Sequence, residues 1–375
     1  MKSVLIIGNV NSTFVVGLIN SLKAYNPALR VDCLSTLPIE RDDVLADNIY
    51  VNSICEWWKN KFGKKVRYGW FLGVLRWVLF RKNRVRYDNI QIHFVDILHQ
   101  FAVPLYKLCT RKLTAVIWGS DLMRCSNPTM LAQILNKCDS INCHTPKMKA
   151  SLQNLLSEKR KTSIQFSHCH FGLLPFEKIK SLRANIADKQ TYRTKLGLPV
   201  DKTIALIGYN ADPGHQHVKV IEQLAKIQDQ LTDVHFILPI TYGNYPSYIE
   251  QLKQTLASTK LSYQTLESYL SDDDVAMLRL SVDINIIVPI TDAASGTVIE
   301  SLFAGSQVIT GRWLDYSKLV NAGVTYTTID KLTDINQTLL SLISSPKDTS
   351  KNAERVASFG DWQVLIKGWY ELVVD

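Results

Sequence analysis

No stretch of this chain comes near the ~20 uninterrupted apolar residues that a membrane-crossing helix requires, so a spanning segment is not expected. The opening MKSVLIIGNVNSTF carries one lysine and a short apolar run. That run meets Gly8 and Asn9 instead of a small-residue cleavage site, and it reads as a first β-strand, not a secretion signal. Seven cysteines are present, at 33, 55, 109, 125, 138, 143 and 169, without a C-x-x-C pair or regular spacing. This excludes a disulfide framework and fits reduced, buried thiols in a cytosolic protein. The chain also has no short-period repeat and no low-complexity linker.

Acidic residues are missing from one segment altogether. Between Trp57 and Arg86 there are ten Lys or Arg and no Asp or Glu, among Trp57, Trp58, Phe62, Tyr68, Trp70, Phe71, Trp77 and Phe80. The formal charge is +9, from 43 basic and 34 acidic residues, and without those ten the rest holds 33 basic against 34 acidic. One segment therefore carries the whole imbalance. Arg, Lys and Trp together suit nucleic acid or a membrane interface. Trp70–Lys82 has helix length, an apolar middle and a basic end, and is too short to span. An interfacial helix on an anionic membrane surface is the expectation, with Trp57, Trp58, Trp70, Phe71, Trp77, Arg81 and Lys82 facing the membrane and no nucleic acid bound. The plain alternative is a buried core helix with a solvated basic flank.

At 375 residues the chain is too long for one core, and 46% hydrophobic with 21% charged residues is ordinary globular composition. Short apolar runs alternate with helix-compatible stretches. Strands are expected at 3–7, 31–34, 49–54, 90–94, 115–118, 140–143 and 163–166. After a polar joint at 175–190 they resume at 203–207, 234–239, 284–289, 307–309 and 325–329. Helices are expected at 217–231, 245–257, 272–280, 295–304, 316–320 and 331–343, with a last helical stretch over 350–373. Strands alternating with helices imply parallel sheets covered on both faces. The expected division is 1–175, 190–350 and a C-terminal segment 351–375 that packs back toward the first domain.

The run from Pro289 to Gly305 has the form of a strand end, a small-residue loop and a helix start. Ser295 is suited to an N-cap, and Gly296 and Thr297 leave the first amides unobstructed. Such a helix start, at the carboxyl edge of a parallel sheet, favours a phosphate through free N–H groups and the helix dipole. Glu300, one turn on, has the reach to hold ribose hydroxyls, and Asp292 stands eight residues before it. The alternative is a capped turn with a solvated glutamate.

Asp292-x7-Glu300, followed by Ala304-Gly305, resembles the E-x7-E signature of the retaining GT-B glycosyltransferases, with Asp for the first Glu. Trp118-Gly119-Ser120-Asp121-Leu122 is similar to a W-G-[SA]-D-L segment of many bacterial polysaccharide transferases. The stretches Gly208–His217 and Leu238–Glu250, with Gly368-Trp369, resemble the TDP-acetamido-dideoxygalactose:lipid II transferase family. The resemblance implies an α/β GT-B fold, two Rossmann-like domains facing across a cleft. It also implies a sugar moved from a nucleotide diphosphate donor, UDP- or TDP-linked, to a lipid-linked saccharide or polysaccharide in bacterial capsule, O-antigen or exopolysaccharide assembly. Neither cofactor nor metal is expected, and the enzyme is expected in the cytoplasm, peripheral on the inner face of the membrane.

By that resemblance Glu300 holds the ribose and Asp292 lies near the donor sugar. Gly208, Asn210, His217, Tyr242, Ser295, Gly296, Thr297 and Arg312 complete the donor set. Asp121 is the candidate base on the acceptor side, with Asn11, His93 and Trp118 lining the acceptor site. The family's Arg and Lys after the first strand of the second domain are missing from Tyr209–His217; His215, His217, Lys219 or Arg312 are the candidate substitutes. Two rival readings remain, a nucleotide-sugar epimerase of the same fold and a non-catalytic relic that scaffolds glycan assembly.

Overall fold

The computed structural model describes residues 2–63, 65–81, 86–185, 188–243, 245–292 and 295–374. It divides into two compact units, 1–172 with 362–375, and 173–361.

The first unit is built on seven strands: β1 (Ser3–Gly8), β2 (Arg30–Ser35), β3 (Asn48–Val51), β4 (Tyr87–His93), β5 (Thr110–Val116), β6 (Ser140–Asn142) and β7 (Gln165–Ser167). They lie in the order β3-β2-β1-β4-β5-β6-β7, and every pairing is parallel. All six residues of β1 are buried, as expected of a strand covered on both faces. Val4 and Ile6 pack against Val15, Leu18, Ile19 and Leu22 of helix α1 (Thr13–Tyr25). The C-terminal helix, Trp362–Val374, joins the same cluster through Trp362, Ile366 and Trp369. A Cβ on Gly17 would stand 2.7 Å from the Trp362 ring nitrogen, so α1 admits this helix only because that position has no side chain.

The second unit has six strands, β8 (Thr203–Ile207), β9 (Val234–Pro239), β10 (Ser262–Leu266), β11 (Ile284–Ile287), β12 (Gln307–Gly311) and β13 (Thr327–Ile329). Their order is β10-β9-β8-β11-β12-β13, again all parallel. Alternate residues serve opposite faces: Ala205 and Ile207 join one core cluster, Ile204 and Leu206 another. Each sheet reverses its strand order once, between β1 and β4 and between β8 and β11. These are the positions where open α/β sheets hold ligands beyond their strand ends.

Three expectations are corrected. Strand 49–54 stops at Val51, because Asn52 caps helix α2 (Ser53–Phe62) by accepting from the Cys55 amide at 3.0 Å. β10 was not expected; its Ser-Tyr-Gln-Thr-Leu pattern is that of an edge strand, paired only with β9 and half-exposed. The terminal stretch 350–373 is two helices. Asn352–Gly360 stays in the second unit, where a Cβ on Gly360 would meet the Phe176 ring at 2.7 Å, and only Trp362–Val374 enters the first.

Candidate active site

In the second unit, β8 is followed by Gly208 with φ +66°, a left-handed turn beside which the imidazole of His217 packs. A Cβ at Gly208 would stand 2.3 Å from His217 Nε2, so the position is glycine for both backbone and space. Across the switch point, β11 leads to the helix Gly296–Ala304. Ser295 stands at its N-cap but makes no capping hydrogen bond, contrary to the expected cap, and no side chain among the described residues accepts from the first-turn amides there. Glu300, 7% exposed, accepts from Arg279 Nε at 3.0 Å through Oε2. Arg279, 6% exposed, also donates from Nη2 to Thr297 Oγ1 at 3.2 Å. Arg279 Nη1 and Glu300 Oε1 have no hydrogen-bond partner among the described residues. One cationic donor and one carboxylate acceptor are thus left beside an uncapped helix start.

The half-exposed Tyr242, after β9, borders the same pair. Burial pushes its phenol up, while a hydrogen bond with Asn210 and the nearby Arg279 charge oppose that shift. Asn210 also accepts from the Asp212 amide at 2.8 Å. Asp292 accepts a short hydrogen bond from Tyr316, whose phenol is raised well above its ordinary value by burial and by that carboxylate.

Two expected cations meet other partners in this structure. His217 is fully buried, with Nδ1 3.3 Å from the Tyr248 hydroxyl, and burial followed by repulsion from His215 lowers it to about 3. It is a neutral packing residue. Arg312 forms a solvated pair with Asp330 at 2.9 Å. Sequence reasoning missed Arg279, the cation that the site does contain. Its signal is an arginine between Leu278 and Leu280 in a helix that buries Ala276, Leu278 and Ser281 beside it.

In the first unit, a cavity of about 250 Å³ opens at the β1/β4 switch point, lined by Asn9, Ser12, Thr36, His93, Asp96 and Trp118, with Phe94 and His99. Phe94 holds φ +62°, a conformation costly for a side-chain-bearing residue. His93 and Trp118 are on this wall. His93 is buried, 3.1 Å from Gln91 Oε1 through Nε2 and stacked on Trp369, and burial lowers it to about 3.

Asn11 and Asp121 are corrected. Asn11 donates to the Pro38 carbonyl and accepts from the Glu40 amide, which holds a loop. Asp121 accepts amides on both oxygens, from Val95 at 3.0 Å and from Trp118 and Gly119 at 3.0 and 2.9 Å. It clamps two strand ends, and burial raises it to about 6 against those amide bonds. Asp96, absent from the sequence expectation, is the carboxylate that lines the cavity.

The basic segment is mixed. Trp57 is half-exposed, but Trp70 is a core residue, fully buried and donating to the Tyr106 hydroxyl at 2.7 Å. Trp58, Phe71, Trp77 and Arg81 are partly buried, and Lys82 lies outside the described residues. Helix α3 (Val66–Phe80) seats on α2 because Gly69 and Gly73 leave room for Trp58 and Asn52. No helix among the described residues is long and apolar enough to cross a membrane. Nor does any group of three or more His, Cys, Asp or Glu among them stand ready to hold a metal.

No protein-family profile matches the chain, and no curated protein matches its sequence. Solved structures do match in fold. A glycosyltransferase from Rickettsia africae superposes with TM-score 0.75 at 15% identity, over 99% of this chain and 97% of that one. Sucrose-phosphate synthase from Thermosynechococcus elongatus gives 0.71 at 14% identity, over 99% and 98%. The Anabaena HepE protein, solved with UDP and glucose, gives 0.71 at 14% identity, over 100% and 99%. The fold is therefore that of the GT-B glycosyltransferases, two parallel-sheet Rossmann-like domains.

Proposed function

We propose that this chain is a glycosyltransferase that takes a sugar from a nucleoside diphosphate donor and delivers it to a lipid-linked saccharide or polysaccharide hydroxyl in bacterial cell-surface glycan assembly. The observation that carries the reading is the buried Arg279–Glu300 pair beside an uncapped helix start. A diphosphate suits the Gly296–Val298 amides and the guanidinium. A ribose hydroxyl suits the free oxygen of Glu300. Arg279 supplies the positive charge that the Tyr209–His217 loop lacks, which answers the main argument for a non-catalytic relic. The fold neighbours support the reading, one of them being a UDP and glucose complex.

In the transfer, the acceptor oxygen bonds to the sugar's anomeric carbon as the bond from that carbon to the diphosphate breaks. The diphosphate leaves with the electron pair, stabilised by the amides and Arg279. The proton of the attacking hydroxyl goes to a carboxylate. Asp292, held by Tyr316, is assigned to the donor sugar. The exposed Trp57 and Phe62 among the lysines of α2 fit peripheral docking on an anionic membrane face. The resemblance to the acetamido-dideoxygalactose family favours a UDP- or TDP-linked donor and needs no metal.

Calorimetric titration with a panel of nucleoside diphosphates, wild type against Glu300→Ala, tests this. The expected result is tight binding of one diphosphate that the variant loses. No binding across the panel by folded protein would overturn the transferase reading and leave the scaffold ahead.

A further inference from the structure

A cavity of about 570 Å³ lies between the edge strand β3 and helices α2 and α3, far larger than the pocket at the β1/β4 switch point and sharing no lining residue with it. Its walls include Arg30, Arg76, Arg81, Tyr50, Trp77 and Phe80. Arg30 is already neutralised by the buried Asp32 at 2.8 Å, which also accepts from Tyr87 and Asn48. Arg76 and Arg81 have no carboxylate partner among the described residues. Arg81 lies over the Trp77 ring at 5.2 Å, and its Nε and Nη1 are sealed from solvent without an acceptor. The Trp77 ring nitrogen is in the same condition. Arg76 and Arg81, with Trp77 between them, put two cations without a carboxylate partner among the described residues on one cavity wall, and paired guanidinium groups match an anion with several oxygens.

We infer that this cavity binds the phosphate headgroup of a membrane lipid. The apolar surface beside it selects the lipid over a free phosphate. Phe80, on the cavity wall, is 76% exposed, and Leu79 and Leu72 on α3 with Trp57 and Phe62 on α2 are exposed as well. A soluble anion leaves those side chains in water, whereas a lipid covers them with its chain while the arginines hold its phosphate. The inference rests on the interfacial reading of α2 and α3 but goes beyond it. Docking by a basic face needs only diffuse charge, and this site takes one headgroup in a defined place.

The test uses the full chain with vesicles of phosphatidylcholine, with and without phosphatidic acid, read by co-sedimentation. Water-soluble short-chain phosphatidic acid, read by calorimetry, gives stoichiometry. Arg76→Gln/Arg81→Gln removes two charges at the cavity. Lys59→Gln/Lys61→Gln removes the same charge from α2 outside it. The expected result is one-to-one binding of the short-chain lipid, weakened roughly tenfold or more by the arginine pair and less than threefold by the lysine pair. Equal weakening by both pairs would overturn the site and leave diffuse docking standing. No binding of phosphatidic acid by the wild type would overturn both. If inorganic diphosphate bound as tightly and displaced the vesicles, the lipid assignment would fall. Arg81 holds no acceptor among the described residues, so its loss removes no hydrogen bond between them, and thermal melting checks this.

Discussion

Arg279 and Glu300 stand 3.0 Å apart with 6% and 7% of their surface exposed, and each keeps one polar atom without a partner among the described residues. A buried ion pair is weak support for stability, because desolvation offsets much of its attraction. Its position under a phosphate-ready helix start gives it another use.

Glu300→Ala leaves Arg279 buried and unpaired, and breaking such a pair costs about 3–5 kcal/mol. Urea unfolding is expected to show that loss. Arg279→Met/Glu300→Leu is expected to recover most of the stability, yet to bind no nucleoside diphosphate in calorimetry. Recovery of binding along with stability would remove the pair from the site.

Gly208→Ala meets two obstacles, φ +66° and an imidazole nitrogen 2.3 Å from the new Cβ. Together these are expected to cost about 2–4 kcal/mol. Adding His217→Ala clears the collision but not the backbone strain, so the double variant is expected to be less destabilised than the sum of the two singles. Additive losses in thermal or urea melts would count against the contact.

His93 and His217 are both held near 3 by burial, against an ordinary 6.5. The unfolded chain therefore binds more protons as pH falls below 6.5, and stability drops by ~1.4 kcal/mol per pH unit for each histidine until about pH 3. Their stabilisation is full above pH 6.5. His93→Gln is expected to shallow the slope between pH 6 and 4 in denaturant titrations; an unchanged slope would mean that His93 titrates normally.

Asp121 has the opposite sign. Its folded value is raised to about 6 from 3.8, so its contribution is full below 3.8 and lost as pH rises through 6. Relative to Asp121→Asn, the wild type is expected to gain up to ~3 kcal/mol between pH 7 and 4.

Trp70 and Trp57 separate packing from docking. Trp70→Phe loses its hydrogen bond to Tyr106 and core volume, and is expected to destabilise by about 2–3 kcal/mol without changing vesicle binding. Trp57→Ala is expected to do the reverse. A Trp70 variant that melts normally but releases vesicles would return that residue to the surface.

Much of this was legible in the chain. Runs such as Val4–Ile7 and Ile204–Ile207 mark buried parallel strands because a strand covered on both faces must be apolar throughout, and helix-length segments between them dictate the crossovers. The Asp292–Glu300 spacing placed a carboxylate one turn into a helix, and Glu300 is there. What only tertiary packing decided is which partner each group meets. Arg279 reaches Glu300, 21 residues on, because their two helices pack side by side. Charge on His217 depends on burial, not on sequence, and burial removed it. The tryptophans of 57–77 share one composition, yet Trp70 faces Tyr106 in the core and Trp57 faces solvent. Local pattern sets the period of an element; the direction a given side chain faces, and hence its solvation and its partner, follows from the neighbour that packs against it.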